Sequence, residues 1–374
     1  MCCLKGLRHL PNCGSFSRGV VVLLLISSCL QAGSLYSIKS LGNLGASAGT
    51  ISAISQSGVT VGFVTDSAGY QVPVSFANGQ STPLPGYGQA NGVNSDGTVV
   101  GTSLTNGIPS VTEWSNGQEV DLKINGSGAT INGYGVAIND AGQVAGGYNA
   151  SPGVLHAFVW NNGKLVDLGT LGGTWGTVNS INSAGQMTGT STTKTGAFNA
   201  FFSTGSGMTD LGTLGGSSSY GTAINNAGEI VGSAAVANGS MNAFTWNGAK
   251  MTDLGTLGGS QSYAYDVNNS GTVVGSSWMP GNLVTHGFVD INGVMLDLNQ
   301  LLPVNSGWTI DAAYGINDCG EIVGTATFDD QSYAVELTPS SVATPEPYTV
   351  GLAGLGMLAI GMLRRARNKP RTSL

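Results

Sequence analysis

Between residues 33 and 340 the apolar positions come in short runs separated by Gly, Asn, Asp and Ser, and longer apolar stretches occur only outside this body, over 20–26 and 348–363. Short apolar runs bounded by turn formers read as strands joined by tight turns. The pattern also repeats. Its clearest copy is Asn242-Ala243-Phe244-Thr245-Trp246-Asn247-Gly248, followed by Met251-Thr252-Asp253-Leu254-Gly255 and Thr256-Leu257-Gly258-Gly259. The same Asp-Leu-Gly phrase stands at Asp167-Leu168-Gly169 and Asp210-Leu211-Gly212. Between such phrases lies a second unit, Ala223-Ile224-Asn225-Asn226-Ala227-Gly228-Glu229-Ile230-Val231-Gly232.

The second unit counts the repeats. Its turn glycine falls at Gly58, Gly97, Gly142, Gly185, Gly228, Gly271 and Gly320, with gaps of 39, 45, 43, 43, 43 and 49 residues. Four residues after each comes another glycine: Gly62, Gly101, Gly146, Gly189, Gly232, Gly275 and Gly324. In Ile138-Asn139-Asp140-Ala141-Gly142 the Asn and Asp suit a type I turn, and Gly supplies the left-handed residue after it. The later glycine lies inside the next strand, where a missing side chain lets neighbouring backbone approach.

Each period then holds four short strands, for example near 219–225, 229–235, 241–247 and 250–255. Four strands in roughly 40–45 residues predict a β-propeller blade; a parallel β-helix is the alternative, but its coil is typically shorter. The expected fold is all-β, a seven-bladed propeller-like repeat domain over 33–340. Trp114, Trp160 and Trp246 recur at one place in the third strand, with Phe76, Ser203 and Asp290 there in other copies. These rings are expected to pack between blades.

The ends of the body predict closure. Ile38-Lys39-Ser40-Leu41-Gly42 aligns with the fourth-strand phrase Met251 to Gly255, with Ser40 in place of Asp253, and stands ahead of the first complete repeat. The last repeat offers a third strand, Ser332-Tyr333-Ala334-Val335-Glu336-Leu337, with no fourth after it. Pairing the two would complete the last blade and remove an open sheet edge.

Composition agrees and charge excludes one class of partner. Sixty glycines and 9% charged residues suit many tight turns, and 41% hydrophobic residues suffice for a core. Histidine aside, the basic residues between 33 and 344 are Lys39, Lys123, Lys164, Lys194 and Lys250, against 19 of the 20 acids, a formal charge of −14. No patch there could neutralise a row of phosphates, so nucleic acid is not an expected partner. Four of five cysteines (Cys2, Cys3, Cys13, Cys29) lie in the first 29 residues. Once that segment is removed, Cys319 has no internal disulfide partner.

The two ends read as addresses. Lys5, Arg8 and Arg18 precede the apolar run 20–26, and small residues follow to Gln31-Ala32-Gly33, so 1–32 is expected to be a signal peptide cut after Ala32. Leu25-Ile26-Ser27-Ser28-Cys29 also resembles a bacterial lipoprotein box with Cys29 lipidated. At the other end come a linker (341–347) containing Pro345-Glu346-Pro347, an apolar segment (348–363) and a basic tail (364–374) with Arg364, Arg365, Arg367 and Lys369. Sixteen residues as a helix span roughly 24 Å, close to membrane length, and the cationic cluster predicts a cytoplasmic tail with the body outside.

That order of motif, apolar stretch and Arg cluster resembles PEP-CTERM proteins, a class exported by certain Gram-negative bacteria that make extracellular polysaccharide. The resemblance covers 342–369 and implies processing by an exosortase with Pro345, Glu346 and Pro347 as the recognition motif. The repeats resemble HAF repeats, named for a phrase found here as His156-Ala157-Phe158 and varied as Asn199-Ala200-Phe201, Asn242-Ala243-Phe244 and His286-Gly287-Phe288. That resemblance implies an extracellular repeat without an established activity.

A search for chemistry yields little. His156 and His286 stand where other copies carry Asn, which predicts a structural hydrogen bond at a strand end. Asp121, Asp167, Asp210, Asp253 and Asp297 recur before Leu, and a ring of carboxylates would suit calcium, though periodic acids at strand ends are commonly turn caps. Gly45-Ala46-Ser47-Ala48-Gly49 matches a nucleophile elbow by letter but follows a Leu-Gly phrase rather than joining strand to helix. No catalytic residue and no cofactor is expected. The expected role is a non-catalytic surface or matrix protein, membrane-anchored at its C-terminus, binding polysaccharide or a partner protein through exposed loops. The alternative is an extracellular glycan hydrolase or lyase with a channel site of Asp and His.

Overall fold

The computed structural model describes residues 34–43, 50–77, 80–105, 107–123 and 131–340. The expected signal peptide, the segments from 341 to 374 and the Gly45 to Gly49 phrase lie outside the described residues. The described body is all-β apart from one 3-10 turn, Leu298–Leu301. Its strands form five four-stranded sheets and one eight-stranded sheet. The larger sheet divides into two groups of four that are joined at a single parallel bridge, Leu155 to Trp175.

Seven antiparallel four-stranded units result, over 50–83, 88–121, 133–169, 172–210, 215–255, 262–297 and 309–339, the last borrowing the strand Tyr36–Asn43. They are numbered 1 to 7 below. In unit 5 the strands are Gly215–Ile224, Ile230–Val236, Met241–Trp246 and Met251–Gly255. The first starts earlier than its hydrophobic pattern suggests. Gly215 already pairs with Val236, and a bulge then follows before Ser219 meets Ala234.

Both glycines of each hairpin have a physical cause. Gly142 takes φ 74° after a turn closed by its N–H donating to the Asn139 carbonyl at 3.0 Å. A side chain in that region of φ is strained. The second glycine answers a different demand. A Cβ on Gly232 would collide with the carbonyl oxygen of Tyr220 on the first strand, and the equivalent clash recurs at Gly62, Gly101, Gly146, Gly189, Gly275 and Gly324. The clash arises beside a bulge two or three residues before the end of every first strand, such as that between Gly221 and Ala223.

The core lies between units. Ala157 of unit 3 shares a cluster with Phe201 of unit 4, Ala200 with Phe244 of unit 5, and Ala243 with Phe288 of unit 6, all fully buried. The small and the large residue of the repeated phrase therefore pack across neighbouring sheets, in the manner of interdigitating layers. Unit 6 has Gly287 in place of Ala because Ile310 of unit 7 fills that space; a Cβ would lie 2.7 Å from its methyl. The third-strand aromatics do pack between units. Trp114 and Trp160 donate through Nε1 to the Pro85 and Lys123 carbonyls, at 2.9 and 3.0 Å, and the Trp246 ring lies 5.6 Å from Phe202 of unit 4.

The strand Tyr36–Asn43 pairs antiparallel with Gln331–Pro339, Ile38 opposite Leu337 and Ser40 opposite Val335. Leu41 enters a cluster with Val323 and Ala334 of unit 7 and Ile51, Val74 and Phe76 of unit 1. Tyr36 joins the core shared by units 6 and 7, and burial pushes its phenol up to about 12. Cys319 sits in the hairpin turn of unit 7, where its N–H donates to Asn317 Oδ1 at 3.1 Å.

Deleting residues 36–41 removes a ladder and two buried side chains, whose apolar burial alone is worth about 3 kcal/mol or more. Urea denaturation of the truncated chain is expected to show at least that loss; a change below ~0.5 kcal/mol would mean that the strand is dispensable.

Candidate functional site

The first strands of the units end around a central depression of about 180 Å³, lined by their last apolar residues and by the hairpin turns that follow. One residue type dominates this hub. Asn94, Asn139, Asn182, Asn225, Asn268 and Asn317 are all buried there, with Ser55 in their place in unit 1. Five of the six work in two directions, and Asn317 turns its Nδ2 back to Glu321 of its own turn instead. In unit 4 the Asn182 Oδ1 accepts from the N–H groups of Ala184 and Gln186, at 3.1 and 2.9 Å, which holds its own turn. Its Nδ2 donates to the Asn225 carbonyl of unit 5 at 2.9 Å.

The same latch runs from Asn94 to Asn139 (3.5 Å), Asn139 to Asn182 (3.0 Å), Asn225 to Asn268 (3.1 Å) and Asn268 to Asn317 (3.2 Å). Two interfaces use other bonds. The Asp318 N–H donates to Gln56 Oε1 at 2.8 Å between units 7 and 1, and Ser57 Oγ donates to the Ser95 carbonyl at 3.0 Å between units 1 and 2. The next turn position forms a parallel series. Ser95 donates to Asp140, Ser183 to Asn226, Asn226 to Asn269, and Asn269 to Asp318, at 2.7–3.0 Å.

Asp266 is the hub residue that sequence reasoning missed. It stands where other first strands carry Ala, Gly or Ser, so only alignment of the copies marks it. Its carboxylate accepts from the N–H groups of Val267 and Ile316, at 2.8 and 2.9 Å. Part of its surface faces the depression, yet protein encloses it, and burial raises the carboxyl from 3.8 to about 7 despite those two bonds.

The histidines and the periodic acids meet each other, away from the hub lining. His156 Nδ1 lies 3.0 and 2.9 Å from the two carboxylate oxygens of Asp167, and His286 Nδ1 is 2.8 Å from Asp297. Since a carboxylate only accepts, Nδ1 carries the proton. Asn199 and Asn242 donate in the same way to Asp210 and Asp253, at 2.9 and 3.0 Å. A constant separation of 11 residues was the available signal for these pairs. Asp167, Asp210 and Asp253 also cap the N–H of the glycine two residues on. Burial works against ionisation of Asp167, but bonds from His156, Gly169 N–H and Tyr148 hold it below the usual range. Asp121 instead accepts from Thr112 and Ser103. The five acids thus act singly within five units. Among the described residues no cluster of three His, Cys, Asp or Glu is placed to hold a metal ion.

A PEP-CTERM protein-sorting motif matches residues 343–367. It spans Pro345, Glu346 and Pro347 and Arg364, Arg365 and Arg367, and ends before Lys369. The motif marks an exported, sorted surface protein anchored at its C-terminus and implies processing by an exosortase-type enzyme. Among the described residues no helix is long and apolar enough to cross a membrane, and the apolar segment 348–363 lies outside them. No curated protein matches the chain in sequence.

The solved structures speak to the fold. The β-propeller domain of the Trilobed protease from Pyrococcus furiosus is similar at 7% identity and TM-score 0.54, covering 80% of this chain and 98% of that one. A puromycin-hydrolyzing peptidase from Mycobacterium tuberculosis is similar at 11% identity and TM-score 0.53, covering 83% of this chain and 56% of that peptidase. A putative TolB from Agrobacterium tumefaciens matches at 12% identity and TM-score 0.45, covering 69% and 93%. The body therefore has a β-propeller fold. The Pyrococcus domain has an open velcro topology, whereas here the N-terminal strand pairs into the last sheet.

Two outcomes follow from the hub. Asn182→Ala leaves buried turn groups and a neighbouring carbonyl unpaired, so chemical denaturation should show a loss of about 1–3 kcal/mol. Asn182→Ser, which restores the hydroxyl found in unit 1, should lose less. Asp266 binds a proton more tightly when folded, so its contribution to stability is full below pH ~4 and is lost as pH rises to about 7. Asp266→Ser, copying Ser180 of unit 4, should reduce that fall in a pH series of urea midpoints. A residual slope should remain, because burial also raises Glu229, Asp290 and Asp311. An unchanged pH series would show that Asp266 titrates normally.

Proposed function

We propose that this chain is a non-catalytic binding protein displayed at the cell surface, its body a closed seven-bladed propeller of HAF-type repeats. Export through a leader over 1–32, and a membrane segment over 348–363 with a cytoplasmic Arg cluster, belong to the same reading. The pairing of residues 36–43 with the last sheet, and buried clusters that join each unit to the next, support closure.

One observation carries the assignment of a binding role. The histidines and the periodic acids of the repeats are engaged one pair at a time inside their own units, and the hub lining is dominated by amides and hydroxyls already in hydrogen bonds. Acid–base and nucleophilic mechanisms require such groups to converge on one reacting atom. The surface around the hub and the strand ends is instead suited to contact an extracellular polysaccharide or protein.

The hydrolase or lyase reading rests on Asp266. A carboxyl raised to about 7 inside a depression is the kind of group that proton transfer uses, and Asp140 lines the same depression. A glycan-array screen run beside a turnover assay separates the two readings. Saturable binding without turnover is expected. Turnover abolished by Asp266→Ser or by His156→Ala would replace this proposal with the enzymatic one.

A further inference from the structure

The units repeat, and their side chains sort into those the fold consumes and those that break the repeat without serving it. One exposed cluster belongs to the second kind. Trp175 on the first strand of unit 4 and Phe198 at the start of its third strand meet Tyr220, midway along the first strand of unit 5, on a surface outside the hub lining. The Trp175 and Phe198 rings are 5.6 Å apart at 70°, and those of Phe198 and Tyr220 are 6.1 Å apart within 23° of parallel. Phe198 keeps 38% and Tyr220 37% of its surface exposed, and Trp175 is half-buried.

Packing does not demand these rings. At the place of Trp175, units 5 and 6 carry Ser218 and Gln261; at that of Phe198 they carry Met241 and Thr285; at that of Tyr220, unit 4 carries Thr177, while units 3 and 6 keep a tyrosine, Tyr134 and Tyr263, so it is Trp175 and Phe198 that set this surface apart. The same backbone thus tolerates small polar residues at each position. Exposed aromatic surface that the fold does not need is what recognition sites are made of.

The ledge is also held in place. The Trp175 N–H donates to Thr192 Oγ1 at 3.0 Å, and its carbonyl accepts from the Ser191 and Thr192 hydroxyls, both at 3.1 Å. Trp175 further forms the bridge between units 3 and 4. Ordering this segment is therefore complete before any ligand arrives, which lowers the entropic cost of binding.

We propose that Trp175, Phe198 and Tyr220 form a binding site for the sugar rings of a neutral glycan chain. This rests on the binding role proposed above and names its ligand class. A pyranose ring has a C–H face that stacks on aromatic faces and a rim of hydroxyls that need polar neighbours. Gln261 and the Tyr263 hydroxyl, which donates to Gln261 at 2.5 Å, supply polar groups in the adjoining segment. Three rings of about 200 Å² each, roughly a third exposed, offer about 200 Å² of contact, far below the roughly 800 Å² per partner that a stable protein interface covers. Charge argues against an acidic polymer. The body between 33 and 344 carries −14, and Lys194, packed beside Gly172, is the cation next to the ledge.

The test uses the full chain with cellohexaose, chitohexaose and mannohexaose as neutral probes and oligogalacturonate as the acidic one. Binding is followed by calorimetry and tryptophan fluorescence. The wild type should bind at least one neutral probe saturably. A triple variant carrying residues from the sister units, Trp175→Ser, Phe198→Met and Tyr220→Thr, should bind about tenfold or more weakly while retaining its melting temperature. Trp175→Ser alone should show part of that loss, and Asp266→Ser should bind as the wild type. A triple variant that binds normally overturns the ledge and leaves the binding role standing. Absence of binding to any glycan overturns both. Binding confined to oligogalacturonate overturns the neutral class.

Discussion

The body is organised by one side-chain amide used twice. Where first strands converge, there is no room for apolar side chains to interdigitate, and tight turns leave backbone groups that need partners. Asparagine meets both demands at once, its oxygen capping its own turn and its nitrogen reaching the next unit's carbonyl. Serine supplies the cap without the reach, and Ser55 accordingly bonds only within its own turn and is followed by a different link to unit 2. Aspartate would lack the donor and would gather like charges around one axis. Outward from the hub, Ala and Phe of one phrase fill the gap between consecutive sheets, so that each unit completes its neighbour's core.

This arrangement separates scaffold from variation. Asn, Gly, Ala, Phe and the His/Asn–Asp pairs are each absorbed by a turn, a close approach, a packed interface or a cross-strand bond. What remains free to differ between units is the set of exposed positions at strand ends and a few places in the hub lining. The Trp175 and Phe198 rings of the ledge and the carboxyl of Asp266 are departures of this sort. The seam around unit 1 is another, since its turns join those of units 7 and 2 through Asp318 and Ser57 rather than through the amide latch, with Leu41 of the N-terminal strand bridging the cores of units 7 and 1.

Much of the architecture was legible in one chain because repetition amplifies local signals. A lone glycine says little, but seven at matched spacing identify a turn and a close backbone approach. The strands of unit 5 lay within a residue of their apolar runs except for the first, whose start is set by a ladder bond from Gly215 across a bulge. The histidines were legible as structural through their exchange with Asn. Their partners were not, because a cross-strand pair depends on the register of two strands, which no single run of residues specifies. Asp266 was invisible for a related reason: its environment is made by residues from other units.

By itself the sequence determined the all-β character, the count and spacing of repeats, the turn chemistry and the C-terminal sorting motif. Each of these depends on residues close together in the chain or on a period that the chain itself displays. Only the tertiary structure decided that Asn latches one unit to the next, that Ala of one phrase packs with Phe of another, that periodic carboxylates stay apart, and that three aromatic rings from two units share one surface. Those facts depend on contacts between residues roughly one repeat apart, and the geometry of neighbouring sheets, not the local pattern, sets which of them meet.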